Sequence, residues 1–511
     1  MVEVNSAFQS AVYTRCLPDS PAIRMSTPAG RWVLTVAVLG SGVAFLEATV
    51  VNVALPAIGR DLNAEVSGLQ WVLNGYLLSL AGLILLGGSL GDRYGRRCVF
   101  IVGMVWFSIA STICAFAPTI ELLIAARILQ GIGGALLTPG SLAIIESVFA
   151  RADRARAIGA WSGLVGVSGA IGPLLGGYLV DAVSWRAVFL ITLPLGLVVS
   201  LAASRYVPET RDPTVTGRLD VLGSVLATVA LAGGTLAIVQ VGESLAQAAI
   251  AGVVGLLAGV AFVLAERRAE QPMLPLEIFA SRQFSGANVL TFIVYAALGG
   301  VFFLLVAFLQ VSLGYSAIAA GAASLPTTVA MLLLSSRAGA LAQRIGPRLP
   351  LTFGPLLIAA GMGLMALISP GDDYVGSILP AVTVFGLGLA LTVAPITATV
   401  LAAADERHSG IASGVNNAVA RTAQLAAIAA LPVLVGLGGS DFENPQAMAE
   451  GFRAAMWIAA ALCSAGAVVG WLTISNDVLQ RDEPQPGSTD YHCPVTGPPL
   501  RHGPAEARSG N

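Results

Sequence analysis

A chain of 511 residues that is 56% hydrophobic and only 11% charged has more apolar surface than a single soluble core of that length can bury. Its 27 basic residues are all Arg and its formal net charge is -2, which leaves no global basic surface for nucleic acid. The five Cys (Cys16, Cys98, Cys114, Cys463 and Cys493) lie far apart without metal-ligand spacing and read as packing residues.

Residues 1–31 are polar and mixed. They lack the compact apolar stretch of a secretory signal and read as a cytoplasmic N-terminal segment, with Met25 as an alternative start. Apolar stretches then follow near 32–58, 69–90, 98–117, 120–147, 157–180, 186–206, 219–239, 245–265, 284–312, 318–338, 350–369, 377–402, 410–437 and 452–474. Each is long enough to cross a bilayer as a helix, which takes about 20 residues. The fold class expected is all-α and integral to the membrane, with fourteen transmembrane helices. Residues 475–511, rich in Pro, Gly and charge, read as a disordered cytoplasmic tail.

Arginine placement tests that count, because basic residues concentrate in cytoplasmic loops. With the N-terminus inside, inner segments hold clusters such as Arg93/Arg96/Arg97, Arg151/Arg154/Arg156 and Arg337/Arg344/Arg348, whereas outer segments hold only Arg60, Arg186 and Arg453. Omitting one helix inverts every later loop, so both termini are expected in the cytoplasm of a cell bearing this multi-pass protein in its plasma or inner membrane.

A weak internal repeat relates the Gly88–Arg97 loop to the Gly339–Arg348 loop, and Gly131/Gly133/Ala135 to Gly386/Gly388/Ala390. The spacing predicts an N-terminal six-helix bundle over 32–206, a linker with two extra helices over 207–283, and a C-terminal six-helix bundle over 284–474.

Glu47 is the one acid near the middle of a predicted span, and an ionisable group there is a functional candidate by default. It falls about 16 Å below the outer end of helix one, and Arg127 about 10 Å below that of helix four, so the two can meet. A carboxyl that moves between a dry site and a cation or water can carry a proton; the plain alternative is a static buried ion pair. The loop with Gly88, Gly91, Asp92, Arg93, Gly95, Arg96 and Arg97 reads either as a gate of charge-assisted bonds or as a turn that anchors topology. Gly166, Gly169, Gly172, Pro173, Gly176 and Gly177 form a small-residue strip for close helix packing. Asn288, Phe292, Tyr295, Gly299 and Phe302 form an aromatic stripe that suits core packing or a cavity wall, and Asn417, Arg421 and Gln424 share a face of helix thirteen. Arg421 has no mid-span acid to pair with in its half, leaving an interhelical role or an anion contact open. No phosphate-cradling loop is present, which argues against ATP-driven transport.

Over residues 30 to 475 these motifs resemble the major facilitator superfamily, and within it the fourteen-helix drug:proton antiporters of the EmrB/QacA type. Leu46 to Pro56 is similar to that branch's helix-one motif, Gly88 to Arg97 to the superfamily loop motif, Arg127 to Ala135 to the helix-four motif, and Gly169 to Gly177 to the antiporter motif. The resemblance implies two six-helix bundles alternating access to a central cavity, with Glu47 and Arg127 in proton coupling. It also implies a cytoplasmic gate at Asp92 and its Arg neighbours, and a Gly172–Pro173 element specific to antiport. Asn52, Gln130, Asn288, Phe292, Tyr295, Asn417 and Arg421 are candidates for lining the cavity. Two departures stand out: Glu47 replaces the usual Asp, and Gln343 replaces the acid in the second-half loop.

The function expected is proton-coupled export of lipophilic, often cationic, small molecules by a monomer in the bilayer. No metal is expected, and no cofactor beyond the proton gradient. The alternative is dedicated export of one endogenous metabolite, lipid or antibiotic by the same mechanism. An enzyme or non-transporting scaffold is more distant, since His408, His492 and His502 lie in a loop and the tail.

Overall fold

The computed structural model describes residues 23–211, 220–242, 244–269, 272, 274–404, 409–439 and 441–479. Most of the expected N-terminal segment and most of the expected tail, including His492, Cys493 and His502, lie outside the described residues, as do Cys16 and His408.

Every predicted span corresponds to a helix. These are α1 (Pro28–Leu62), α2 (Val66–Tyr94), α3 (Arg96–Ala115), α4 (Ile120–Val148), α5 (Arg151–Ala182), α6 (Ala187–Tyr206) and α7 (Val221–Val239), followed by α8 (Leu245–Arg268), α9 (Arg282–Val311), α10 (Ala317–Ile345), α11 (Pro350–Ala366), α12 (Tyr374–Ala402), α13 (Ser409–Leu434) and α14 (Pro445–Thr473). Among the described residues twelve of them are long and apolar enough to cross a membrane; α11, with 17 residues, is shorter, and α5 opens with a charged turn. Side-chain caps explain several starts. Thr27 accepts from Gly30 N at 3.1 Å ahead of α1, Ser281 from Phe284 N at 3.3 Å ahead of α9, and Asn444 from Gln446 N at 3.0 Å ahead of α14. α10 is interrupted at Ser324, where Pro326 opens its second segment because a ring without an N–H fits the first turn of a helix.

α1–α6 pack as one bundle and α9–α14 as the other. The bundles meet along three pairs, α1 with α9, α2 with α13, and α5 with α10. α7 lies against both α2 and α13, across a seam between the bundles, while α8 packs chiefly on α7. Gly233 and Gly255 allow this inserted hairpin to close, since a Cβ on Gly233 would stand 2.6 Å from the Gly255 Cα. The outward surface of α8 is apolar, with Ile250, Leu256 and Leu257 all exposed, as a lipid-facing helix requires.

Candidate functional site

Four helices of the first bundle converge on one buried polar network. Arg127 of α4 and Glu47 of α1 are both 0% exposed. The Arg127 guanidinium donates through Nε to Val72 O of α2 at 2.9 Å and through Nη1 to Gln130 Oε1 at 2.5 Å; Gln130 Nε2 in turn donates to Ser111 Oγ of α3. The guanidinium also stands 4.5 Å from the Tyr76 ring centroid, a cation–π contact from α2. By comparison the ion pair is loose, with Arg127 Nη1 3.5 Å from Glu47 Oε1, against about 2.7–2.9 Å for a tight charge-assisted bond. Glu47 Oε2 and Arg127 Nη2 have no hydrogen-bond partner among the described residues.

The asymmetry has a chemical meaning. Three contacts hold Arg127 without any help from Glu47, whereas Glu47 meets Arg127 at long range and shares a side-chain hydrogen bond with Gln130. Gain or loss of a proton at Glu47 therefore acts on its contacts to Arg127 and Gln130, while the bonds from Arg127 to Val72 O and from Gln130 to Ser111 do not involve Glu47.

The expected cavity residues are placed unequally. Gln130 belongs to the buried network, and Asn288 is buried, with Nδ2 donating to Phe284 O at 2.9 Å. Asn52 and Asn417 are half-buried and donate one turn back, to Ala48 O and Ser413 O. Phe292 is exposed, and Tyr295 is half-buried on α9. Arg421 is half-buried on α13; it donates to Gln424 Oε1 at 3.1 Å, and its guanidinium stands 5.5 Å from the Phe45 ring centroid across the gap between bundles. Gly299 abuts Gln424, and Thr291 donates to Asn416 Oδ1 at 2.9 Å, so α9 and α13 are tied together beside Arg421. Phe45, Ser111 and Asn74 were missed by sequence reasoning. Asn74 is fully buried with neither side-chain polar atom partnered among the described residues, and it looked like an ordinary residue of an apolar helix.

Hydrogen bonds between the bundles cluster at the end opposite the arginine-rich loops. Gln70 Nε2 of α2 donates to Ile428 O at 2.8 Å and Ala429 O at 3.1 Å, Gln310 Nε2 of α9 donates to Val53 O at 2.9 Å, and Val66 N donates to Gly439 O at 3.0 Å. At the start of α10, Asp181 of α5 accepts from Ala317 N at 3.2 Å and Ile318 N at 2.9 Å, which caps the helix from the other bundle. The small-residue strip explains how α5 comes so close. Gly172 and Gly176 lie against Thr49 and Val50 of α1, while Gly177 faces Ala317 and Ile318, and Pro173 O abuts Gly321. Gly169 lies on α5 ahead of these, with its surroundings outside the described residues.

At the arginine-rich end the loop motif is closed on itself. Arg96 pairs with Asp92 at 2.8 Å, one turn apart. Gly95 has φ +114°, which glycine tolerates without strain, and Arg97 donates to Val207 O at 3.1 Å. Glu209, just after α6, accepts from Arg97 N and Cys98 N, both at 3.1 Å, and so caps α3. The second half repeats the device: Gly346 has φ +85°, Arg348 Nε donates to Trp471 O at 2.8 Å, and Asn476, just after α14, accepts from Arg348 N at 3.3 Å. The repeat read in the sequence is therefore a structural clasp between the third and sixth helices of each bundle. Gly88 and Gly91 sit on the last turns of α2, and Arg93 stacks its guanidinium 5.8 Å from the Tyr94 ring.

The family model of the Major Facilitator Superfamily matches residues 37–428. The chain belongs to that superfamily. A methylenomycin A resistance protein of Bacillus subtilis is 33% identical over 466 residues, covering 90% of this chain and 98% of the relative. The multidrug resistance protein Stp of Mycobacterium tuberculosis is 34% identical over 384 residues, covering 74% of this chain and 71% of the relative. Within the superfamily the chain thus stands with drug and antibiotic efflux proteins. A bacterial homologue of the human lysosomal transporter Spinster, solved inward-facing and unoccupied, shares the fold with a TM-score of 0.64 at 18% identity, covering 89% of this chain and 98% of that one. All-α architecture, two six-helix bundles and an inserted pair of helices are thus the fold of this efflux transporter.

Proposed function

We propose that this superfamily member exports small amphipathic molecules in exchange for protons, with no cofactor beyond the proton gradient and with Glu47 as the proton carrier. The observation that carries the reading is a fully buried carboxyl in mid-helix whose contact to Arg127 is long, the arginine being independently anchored. Such a group can exchange a proton when the cavity beside it changes, because the ion pair contributes little to holding the helices together.

The bundles 32–206 and 284–474 act as the two rocking units, with the arginine-rich loops and both termini in the cytoplasm of a plasma or inner membrane. Hydrogen bonds between them at the far end then describe a state sealed on the outside. Conversion to the outward-open state breaks the Asp181, Gln70 and Gln310 contacts and brings the Asp92 loop against the second bundle. The protein works as a monomer and makes or breaks no covalent bond in its cargo. A relative named for resistance to one antibiotic favours, as the second reading, a narrow cargo handled by the same mechanism.

Everted membrane vesicles given an acid interior test the proposal, using a panel of amphipathic dyes of either charge. Gradient-driven accumulation by wild type that is lost in Glu47→Gln at equal expression is the expected result. Accumulation that survives Glu47→Gln removes Glu47 as the carrier, and no accumulation of any dye removes broad export.

A further inference from the structure

Arg421 lies at the middle of α13, 12 residues after Ser409 and 13 before Leu434. That is about 18 Å from either helix end at 1.5 Å per residue. A guanidinium at such depth is costly unless its donors and its charge are used. One use is as a strut, in which the group bonds a neighbouring helix, as Arg127 does with Val72 O of α2. Arg421 is built differently. Its side-chain hydrogen bond runs to Gln424, on its own helix, and it forms no ion pair among the described residues.

What surrounds it suits a ligand better than a strut. Phe45 of α1, in the other bundle, is 41% exposed and stands under the guanidinium, and α9, which carries Tyr295, packs against α13. The charge sum is also unbalanced. Glu47, when ionised, offsets Arg127, whereas no acid among the described residues pairs with Arg421 where α1, α2, α9 and α13 approach.

We propose that Arg421 anchors a cargo subsite for amphipathic anions, whose carboxylate, phenolate or sulfonate docks on the guanidinium while the apolar body lies against Phe45 and Tyr295. The inference rests on the export reading and deepens it by naming the charge of the cargo. A guanidinium offers two parallel N–H donors to an oxyanion, and a desolvated site strengthens both bonds. Apolar walls with one or two fixed polar groups are the general form of a small-molecule pocket. A cationic cargo at the same place meets a positive charge instead, so the cationic preference expected from the family resemblance is reversed. Energetically, an anion moving out against a proton moving in carries positive charge inward on both counts. An inside-negative membrane potential then drives the exchange together with the pH gradient.

Equilibrium binding to the full-length protein in lipid nanodiscs tests this, with fluorescein and rhodamine 6G as probes that share a xanthene ring system and differ in the sign of their charge. Wild type should bind fluorescein more tightly than rhodamine 6G. Arg421→Gln should weaken fluorescein binding about tenfold or more, the range expected for losing hydrogen bonds to a charged group, and leave rhodamine 6G unchanged or tighter. Arg421→Lys, which keeps the charge without the fork, should recover part of the loss. Tighter rhodamine 6G binding in wild type, equal fluorescein affinity in wild type and Arg421→Gln, or no fluorescein binding overturns the subsite. So does an equal loss in both variants accompanied by a lowered melting temperature, which assigns Arg421 to the fold. Binding at equilibrium needs no gradient, so failure of export in vesicles counts against the export reading and not the subsite, and intact export without a charge preference counts against the subsite alone.

Discussion

Each half of this transporter carries an arginine at membrane depth, and the two are used in opposite ways. Arg127 is 0% exposed and spends its donors on Val72 O, Gln130 and Glu47, with Tyr76 beneath it. Arg421 is half-buried, touches Gln424 on its own helix, and faces Phe45 of the opposite bundle. The difference shows that an arginine in an apolar helix is not one kind of feature. Its partners decide whether it holds helices together or stands ready for something that arrives.

The largest expected effects break the first of these sites. Glu47→Gln should abolish gradient-driven accumulation while the protein stays folded, because the amide oxygen can still accept from Arg127. Arg127→Ala should lose both transport and stability. The variant removes the bonds to Val72 O and Gln130 and the Tyr76 contact, and each buried acceptor left unpaired costs about 1–3 kcal/mol, to be read from thermal unfolding in detergent. Arg421→Gln sharpens the contrast, since a group without interhelical bonds should change stability by less than about 1 kcal/mol. If the two arginine variants lose stability equally, the distinction drawn between them fails.

Much of this contrast was legible in the residues. Fourteen apolar stretches and the bias of Arg to alternate loops gave the helices, and depth along antiparallel helices brought Glu47 to Arg127. The choice between strut and ligand at Arg421 was not legible, because it depends on which neighbours fall within hydrogen-bond reach, and spacing along one helix does not say what stands opposite. Cross-bundle amides were hidden for a related reason: Gln70 and Gln310 are single polar residues in apolar helices, and their partners are main-chain carbonyls that no side-chain pattern marks. Glu209 and Asn476 lie just past the ends of α6 and α14, outside any apolar periodic stretch. The loop repeat is visible in the residues, where Gln343 stands in place of the acid; the structure repeats instead the glycine, the arginine and the side chain that accepts a main-chain N–H.

A second comparison, between the two ends of the bundles, yields a smaller effect. On Gly177 a Cβ would stand 2.5 Å from Ala317 O and Ile318 Cα, main-chain atoms that cannot rotate aside. Gly177→Ala should therefore part α5 from α10. With Ala320→Cys as the buried reporter on α10 in a background whose five native Cys are replaced by Ser or Ala, maleimide labelling from outside should quicken several-fold, and an unchanged rate would show that the seal does not depend on that approach.

The smallest effect is expected at the clasp, where the two halves use the same geometry with different chemistry. Glu209 is a carboxylate at the N-terminus of α3, bonded to two main-chain N–H groups and paired with Arg97 at 3.6 Å; Asn476 is neutral and accepts one N–H at 3.3 Å. An ionised cap also gains from the positive end of the helix dipole, which a neutral amide does not. Glu209→Ala should cost about 1 kcal/mol, in the usual range for an N-terminal cap, and Asn476→Ala less. Salt separates the two further, because screening weakens exposed charge pairs and leaves neutral hydrogen bonds almost untouched. Raising ionic strength should shrink the Glu209→Ala penalty toward that of Asn476→Ala. A penalty that stays constant with salt would mean that Glu209 acts through the geometry of its two hydrogen bonds and that the clasps are equivalent despite their charges.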